Sequence, residues 1–389
     1  MKIIWVAGAR PNFMKIAPIW RAMERFNAAR KDGEPRFEPL LVHTGQHYDQ
    51  NMSDVFFRDL ELPEPHYHLG IHGGTHGEQV ARILVAFEKL LEKERPDMVG
   101  VVGDVNSTSA CAMATAKSYV LDGGRTPKLI HVEAGLRSGD RLMPEEINRL
   151  VTDSIADILF TSEPSGTENL LREGIAAEKV HFAGNVMVDS LFYAISRNKK
   201  NTLLENLGWT EEESSTYALV TIHRPSNVDD PQMLHRVFSA LEQIGSRLPV
   251  LFPVHPRSLA RMKEAGIAAS EISREPTVRQ PGLYLMEPLG YHDFLSVMRN
   301  STLVVTDSGG IQEETTALEI PCLTLRENTE RPATVELGSN ILLGQDTEKM
   351  VVVVDRILGG DSKKGAVPPL WDGKAAERIV DVLSRKGRA

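Results

Sequence analysis

Cysteine is nearly absent from this 389-residue chain, which contains only Cys111 and Cys322. Both lie among small or apolar neighbours, so we expect two buried thiols rather than a disulfide or a nucleophile. Long hydrophobic runs are absent too: the N-terminal run is interrupted at Arg10 and Pro11, too early for a signal peptide, and no later segment approaches a membrane span. We therefore expect a cytoplasmic protein that does not contact membranes.

An excess of positive charge is also missing. The chain has 44 Lys and Arg against 53 Asp and Glu, a formal net charge of -9. This balance argues against a general nucleic-acid or membrane surface, so any phosphate site must be a local cluster of cations and helix N-termini. The composition, 41% hydrophobic and 25% charged, is that of a globular protein, and the length exceeds what one hydrophobic core usually supports.

Short apolar runs that end in Gly, Pro or polar turns alternate with helical patterns along the chain, which predicts an α/β fold with two mostly parallel sheets. The alternation is interrupted by a helical, polar stretch near 186–200. We therefore predict an N-terminal domain over 1–186, a C-terminal domain over 187–372, and a surface helix within 373–389 that braces the two. Ligands of such sheets lie beyond the strand C-termini, which predicts a cleft between the domains.

The segment VVTDSGGIQEE shows the strongest single signal for a ligand site. Ser308, Gly309 and Gly310 follow a buried strand and open a helix, a geometry that brings backbone N–H groups close to a phosphate. A tight turn that needs only glycine is the alternative. Glu314, one turn later, either accepts hydrogen bonds from ribose hydroxyls or is a solvated first-turn carboxylate.

Cations lie at other predicted strand ends. Arg10 and Lys15 follow the first strand in GARPNFMK and are candidates to neutralise a diphosphate, although surface positions are the commoner fate of either residue. His223 and Arg224 follow a strand in TIHRPSN, and His255 follows another in PVHPR. A histidine at a strand end is a better functional candidate than one within a helix.

Carboxylates gather at the remaining strand ends. Asp104 follows a buried strand in VVGDVNST, Glu133 follows one in IHVEAG, and Glu145 and Glu146 lie in MPEEINR. Neighbouring carboxylates shift each other's pKa values and so divide into acid and base. Helix capping by Asp104 and an ordinary helix opening at Glu145 are the structural alternatives.

Four histidines, His66, His68, His72 and His76, lie close together in HYHLGIHGGTH. Their spacing matches no recognised zinc pattern, no cysteine is near, and the glycines indicate a loop. We therefore expect no metal site here.

Taken together, these segments resemble the non-hydrolysing UDP-N-acetylglucosamine 2-epimerases over nearly the whole chain. The motifs that carry the resemblance are, in order, GARPNFMKIAP, TGQH, GDVNST, HVEAGLRSGDRLMPEEINR, GNVMVDS, TIHRPSN, PVHPR, TDSGGIQEE and ENTERPATVELG. The resemblance implies two Rossmann-like domains in the GT-B arrangement, a homodimer, and an active site in the interdomain cleft without metal or other cofactor.

The same resemblance assigns residues to roles. Those that it places at the UDP are Arg10, His223, Phe294, Ser308, Gly309, Gly310, Glu314 and Arg331. Those that it places in catalysis are Lys15, Asp104, Glu133, Glu145 and His223. The implied reaction removes UDP from C1 while a carboxylate takes the C2 proton, leaving 2-acetamidoglucal, to which UDP adds back after protonation from the opposite face.

One departure from the family concerns activation by a second substrate molecule. Gln46 and His47 match the family's activator site, but Asp49 and the 73–75 stretch replace the rest, which argues against such activation. The segments around 44–53 and 72–79 also resemble enzymes that act on UDP-2,3-diacetamido-glucuronic acid, so the substituents at C3 and C6 of the sugar stay open. A hydrolysing epimerase, a GT-B glycosyltransferase and a UDP-sugar sensor are the competing functions.

Overall fold

The computed structural model describes residues 1–31, 33, 36–46, 57, 60–118, 126–197, 203–207, 216–267 and 280–386. The chain divides into two compact units. The first comprises Met1–Ser190 and Pro369–Ala389, and the second comprises Leu191–Pro368. The changes of unit fall at residues 190 and 191 and at residues 368 and 369. The domain bounds 1–186, 187–372 and 373–389 stay a prediction.

The described part of the first unit alternates strands and helices. Its strands are β1 (Lys2–Ala7), β2 (Glu38–His43), β3 (Tyr67–His68), β4 (Met98–Val102), β5 (Lys128–Ala134), β6 (Ile158–Thr161) and β7 (Val180–Phe182). The helices before residue 200 are α1 (Arg10–Ala29), α2 (His76–Glu94), α3 (Asn106–Ala116), α4 (Pro144–Ile155), α5 (Pro164–Arg172) and α6 (Val186–Arg197), with a 3-10 turn at Ala177–Lys179. The strands form one sheet of order β3-β2-β1-β4-β5-β6-β7 in which all pairs are parallel.

The described part of the second unit repeats this design. Its strands are β8 (Ala218–Thr221), β9 (Pro249–Pro253), β10 (Gly282–Met286), β11 (Leu303–Thr306), β12 (Cys322–Thr324) and β13 (Asn340–Leu342). Its helices are α7 (Leu203–Asn206), α8 (Pro225–Val228), α9 (Pro231–Gly245), α10 (Pro256–Glu264), α11 (Tyr291–Arg299), α12 (Gly309–Ala317), α13 (Pro332–Glu336) and α14 (Thr347–Leu358). The sheet order is β10-β9-β8-β11-β12-β13, again with parallel pairs.

Both sheets have the strand order of a Rossmann fold, in which the chain starts in the middle and reverses direction across the sheet once. Helices cover both faces of such a sheet, so its strands are apolar throughout rather than alternating. β4, with the sequence MVGVV, is buried at every position, and β8 is buried at its first three. The predicted fold class, α/β with two Rossmann-like parallel sheets, is therefore confirmed. Within the described residues, no helix is both long enough and apolar enough to cross a membrane.

The C-terminal segment belongs to the first unit. Trp371 is 2% exposed and donates its indole hydrogen to the Ser162 carbonyl at 2.8 Å. The carboxylate of Asp189 accepts hydrogen bonds from the backbone N–H groups of Ala375 and Ala376 at 3.1 and 2.8 Å, at the start of α15 (Ala375–Lys386). α15 packs on α1 within this unit. The predicted bracing role of the last helix stays a prediction.

Candidate active site

In the first unit, a buried ion pair joins the helix that follows β1 to the end of β5. The ammonium group of Lys15 lies 2.7 Å from Oε2 of Glu133, and the two side chains are 7% and 3% exposed. Gly103, just after β4, has a φ of +65°, and a Cβ there would lie 2.8 Å from Lys15 Nζ. Only a glycine therefore leaves room for the ammonium group at this strand end.

Glu133 itself adopts a backbone conformation that side chains seldom take. Its φ is 70°, and the pairing register of β5 with β6 shifts between Val132 and Ala134. A bulge of this kind turns a side chain away from the regular alternation of the strand, and a non-glycine residue in the left-handed region costs on the order of 1 kcal/mol or more. Such strain is concentrated at functional sites, where the surrounding contacts maintain it.

Asp104 lies at the neighbouring strand end and is held by α4. Its carboxylate forms an ion pair with Arg149, whose side chain is 2% exposed while that of Asp104 is 26% exposed. The side-chain amide of Asn148 donates to the Asp104 carbonyl at 2.9 Å. Asp104 is thus fixed in position by Arg149 and Asn148 and remains partly exposed to solvent.

The two glutamates at the start of α4 differ in their surroundings. Glu146 is buried and binds Arg149 at 2.8 Å while it accepts the backbone N–H groups of Ser138 and Gly139. Burial alone would raise the pKa of Glu146, but the hydrogen bond from Ser138 and the charge of Arg149 lower it. Glu145, the residue predicted to be catalytic, is half-buried. Glu146 therefore holds the loop that precedes α4, whereas Glu145 is partly exposed to solvent.

A second buried network, which the sequence analysis did not predict, is centred on His131, two residues before Glu133 on β5. His131 is fully buried, with Nδ1 at 2.6 Å from Asp153 and Nε2 at 2.9 Å from the Gly103 carbonyl. The Asp153 carboxylate and the Gly103 carbonyl are both hydrogen-bond acceptors, so the ring is held from both of its nitrogens. Asp153 also accepts the Gly135 N–H and pairs with Arg137 at 2.7 Å. This network ties the loop after β4 to the strand that carries Glu133.

Arg10 and the four clustered histidines also belong to the first unit. Arg10 is the first residue of α1 and is exposed. His66 accepts the Leu41 N–H at 3.1 Å, and His76 lies beside Asn106. Among the residues that the structure describes, no group of three or more His, Cys, Asp or Glu is arranged to hold a metal ion.

The residues that match or depart from the family's activator site are only partly described. Gln46 accepts hydrogen bonds from the backbone N–H and hydroxyl of Ser107 at 2.9 and 2.7 Å. His47 and Asp49 lie outside the described residues. Thr75, within the divergent stretch, caps α2 by accepting the Glu78 N–H. Gln46 and Thr75 therefore have local structural roles.

In the second unit, two neighbouring strand ends place His223 and Asp307 together. Nδ1 of His223 lies 3.1 Å from Oδ1 of Asp307, and the His223 side chain is 40% exposed while that of Asp307 is fully buried. The ring of His255 lies 5.7 Å away, centroid to centroid. Burial, and then the nearby charge of His223, lower the pKa of His255.

The turn predicted to bind phosphate opens α12. Ser308 is the N-cap residue, and its hydroxyl makes no capping hydrogen bond. Ser308, Gly309 and Gly310 are half-buried, so the first N–H groups of α12 can be reached by a ligand. These N–H groups and the helix dipole favour an anion.

Arginines and carboxylates alternate beside this turn. Arg331 pairs with Glu313 at 2.9 Å and with Glu330 at 2.6 Å, and Glu330 also binds Arg326 at 2.8 Å. Burial would raise the pKa of Glu330, but the two arginines hold it far below its usual range. Burial, and then the charge of Arg326, lower the pKa of Arg224. Asp307 also lies near Arg224, so three arginines here interact with three carboxylates.

Glu314 is buried rather than solvated. Burial, together with the charge of Glu313, raises its pKa to about 7, although a 3.0 Å hydrogen bond from Tyr291 lowers it. Phe294, on the same helix as Tyr291, is half-buried. A carboxyl with this pKa changes charge near neutral pH, so a ligand that donates hydrogen bonds to it can shift its ionisation.

Comparisons with known proteins agree with these motifs. The family model described as UDP-N-acetylglucosamine 2-epimerase matches residues 29–384. A UDP-N-acetylglucosamine 2-epimerase from Methanocaldococcus jannaschii is 39% identical, covering 99% of each chain. The UDP-2,3-diacetamido-2,3-dideoxy-D-glucuronate 2-epimerase of Pseudomonas aeruginosa is 35% identical, covering 99% of this chain and 100% of the relative.

Solved structures give the same result. The crystal structure of Methanocaldococcus jannaschii UDP-GlcNAc 2-epimerase in complex with UDP-GlcNAc and UDP has a TM-score of 0.82 at 38% identity, covering 99% of this chain and 100% of that chain. A lipopolysaccharide outer core galactosyltransferase has a TM-score of 0.54 at 14% identity, covering 99% of this chain and 100% of that chain, so it shares the fold alone. The match to the family model and the identity over almost the whole length show that this chain belongs to the UDP-N-acetylglucosamine 2-epimerase family.

Proposed function

We propose that this protein is a non-hydrolysing UDP-N-acetylglucosamine 2-epimerase, active as a cytoplasmic homodimer. The observation that carries the proposal is the pair of carboxylates at adjacent strand ends. Asp104 and Glu133 are each held by a buried cation, Arg149 and Lys15. The chain that carries them is 39% identical to the Methanocaldococcus jannaschii epimerase.

The second unit supplies the groups for UDP. The Ser308 hydroxyl and the N–H groups of Gly309 and Gly310 bind the diphosphate, with Arg331 neutralising its charge, while the Ser308 N–H donates to Thr306 within the turn. The family resemblance also assigns Arg10, from the first unit, to this charge. Glu314 accepts hydrogen bonds from the ribose hydroxyls, and Phe294 packs near the uracil. These assignments are supported by the partial exposure of Ser308, Gly309 and Gly310 and by the raised pKa of the Glu314 carboxyl one turn into α12.

The first unit supplies the groups for proton transfer. The C1–O bond breaks, UDP leaves with the electron pair, and a carboxylate takes the C2 proton, which leaves 2-acetamidoglucal. His223 and Lys15 stabilise the departing negative charge. A second carboxylate then delivers a proton to the opposite face of C2 while UDP adds back to C1. Two faces need two proton-handling groups, which Asp104, Glu133 and Glu145 provide.

Proton NMR of the purified protein with UDP-N-acetylglucosamine in heavy water tests this reaction. We expect the manno epimer, still bearing UDP, with deuterium at C2. Free N-acetylmannosamine and UDP would instead identify a hydrolysing enzyme.

Amide variants test the residue assignment. Asp104→Asn, Glu133→Gln and Glu145→Gln should each lower turnover by about 10²- to 10⁴-fold while UDP still binds, because a positioned acid or base contributes about this much. Full activity in all three would contradict the assignment. Arg25 and Glu377 form an exposed ion pair in the same unit, so Glu377→Gln is a control that should keep full activity.

A second substrate is favoured by the relative from Pseudomonas aeruginosa, which is 35% identical over the same length. UDP-2,3-diacetamido-glucuronic acid differs only at C3 and C6, so the same C2 chemistry applies to it. Offering both sugars to the protein in the NMR experiment and comparing kcat/KM decides between them. Size-exclusion chromatography with light scattering tests the dimer.

A further inference from the structure

A carboxylate that has no assigned role lies behind His223. Asp307 is 0% exposed and stands between the end of β11 and Ser308. Its Oδ2 accepts the backbone N–H groups of His223 and Arg224 at 2.9 and 2.8 Å and the side-chain amide of Asn227 at 3.0 Å. Its Oδ1 lies 3.1 Å from Nδ1 of His223.

These contacts keep Asp307 ionised. Burial would raise its pKa, but hydrogen bonds from His223, Arg224 and Asn227 outweigh burial and lower it. Asn227, in α8, is fully buried and also donates to the Leu325 carbonyl at 3.0 Å, so it connects the carboxylate to the end of β12. The Asp307 carboxylate that faces the His223 ring is therefore ionised and fixed in position.

The Asp307 carboxylate determines which nitrogen of the His223 ring carries the hydrogen. A nitrogen that faces a carboxylate at 3.1 Å carries the hydrogen, so Nδ1 is protonated whether or not the ring is charged. Nε2 is then the ring nitrogen left for a ligand, and the side chain is 40% exposed. This is the arrangement by which a buried aspartate orients the histidine of a catalytic triad.

We propose that Asp307 is a positioning residue that fixes the Nδ1–H tautomer of His223 and so presents Nε2 to the UDP-sugar. The proposal rests on the proposed function for the role of His223, but the tautomer is a property of the protein alone. His223 then donates from Nε2 to the diphosphate oxygen when protonated, and accepts a proton there when neutral.

The first test needs no variant. Two-bond nitrogen–proton correlation spectra of uniformly ¹⁵N-labelled protein, titrated across neutral pH, distinguish the two tautomers of each neutral histidine. The signal of His223 is identified by its loss in His223→Gln. We expect protonated Nδ1 and unprotonated Nε2 in the neutral ring, and the opposite tautomer would overturn the proposal.

The second test changes the acceptor. In Asp307→Asn, the amide oxygen can still accept the His223 and Arg224 N–H groups, but its NH₂ group then faces Nδ1 and favours the Nε2–H tautomer. We expect this switch, with kcat lowered by roughly 10²-fold or more and KM changed much less. Asp346→Asn is the control, because Asp346 caps α14 in the same unit by accepting the Lys349 N–H and should leave the tautomer and kcat unchanged.

The outcomes separate the two proposals. An Asp307→Asn protein that keeps the Nδ1–H tautomer, or that keeps full kcat after the switch, overturns the positioning role. A wild-type protein with the expected tautomer that never exchanges C2 hydrogen in any UDP-sugar overturns the proposed function, and the assignment of the tautomer stands.

Discussion

Replacing Glu133 by glutamine leaves the ammonium group of Lys15 buried without its carboxylate partner. The pair is 2.7 Å apart with side chains 7% and 3% exposed. Removal of one partner of a buried pair costs about 3–5 kcal/mol, because the remaining charge stays out of water. We expect Glu133→Gln and Lys15→Met each to lower the free energy of unfolding of the first unit by about this amount. The melting temperature should fall by about 6–20 °C.

The double variant Lys15→Met/Glu133→Gln should lose far less than the sum of the two, since no charge is then left buried. Urea unfolding followed by tryptophan fluorescence measures all three. Trp5, Trp20 and Trp371 belong to the first unit, so this signal reports mainly on that unit.

The control is Glu377→Gln, which breaks the ion pair with Arg25. Its side chains are 62% and 56% exposed, and such pairs contribute about 0–1 kcal/mol. Additive losses in the double variant, or a Glu133→Gln protein as stable as this control, would refute the reasoning.

Three further expectations follow from single groups. UDP binding at pH 7 should release a proton, because burial raises the pKa of Glu314 to about 7 and ribose hydroxyls would stabilise its ionised form. Calorimetry of UDP binding in buffers with different ionisation heats measures the protons released. An unchanged proton release in Glu314→Gln would contradict the expectation. Burial raises the pKa of Asp189 from 3.8 to about 6, so the stability that this group contributes is present below about pH 4 and lost as pH rises through about 6, by up to about 3 kcal/mol. Urea unfolding across this range should show that Asp189→Asn lacks this loss, and a wild-type-like slope would argue against it. A Cβ added at Gly310 would have no protein atom within 4 Å, whereas one at Gly309 would lie 3.0 Å from Arg331 Nη1. The Gly310→Ala protein should therefore melt no lower than wild type but bind UDP more weakly. Unchanged UDP affinity would remove Gly310 from the site.

The sequence alone predicted the elements whose signals are local. Apolar runs that end in Gly or a polar turn became strands, as in VVG before Asp104 and VVTD before Ser308. Such runs need only neighbouring residues to be recognised, since period and turn chemistry are properties of short segments. The same reasoning placed Glu133 correctly at the end of β5.

Long-range pairing was beyond this reasoning. Lys15 is a long cation in an amphipathic helix, which usually reaches solvent, and its burial depends on a carboxylate more than a hundred residues away. His131 appeared only as part of an apolar strand, because Asp153 meets it through the fold. The left-handed backbone of Glu133 leaves no trace in its sequence, since that conformation favours glycine.

The return of the C-terminal segment to the first unit has a consequence for biosynthesis. The stretch Leu191–Pro368 is inserted into a unit whose own chain resumes only at Pro369. Ribosomes add about 5–20 residues per second, so the first unit waits many seconds for Trp371 and α15, with the surfaces they cover still open to water. During that interval the nascent protein is a substrate for chaperones, and a stop codon placed before Trp371 should yield a chain that aggregates or is degraded even though both of its sheets have been fully translated.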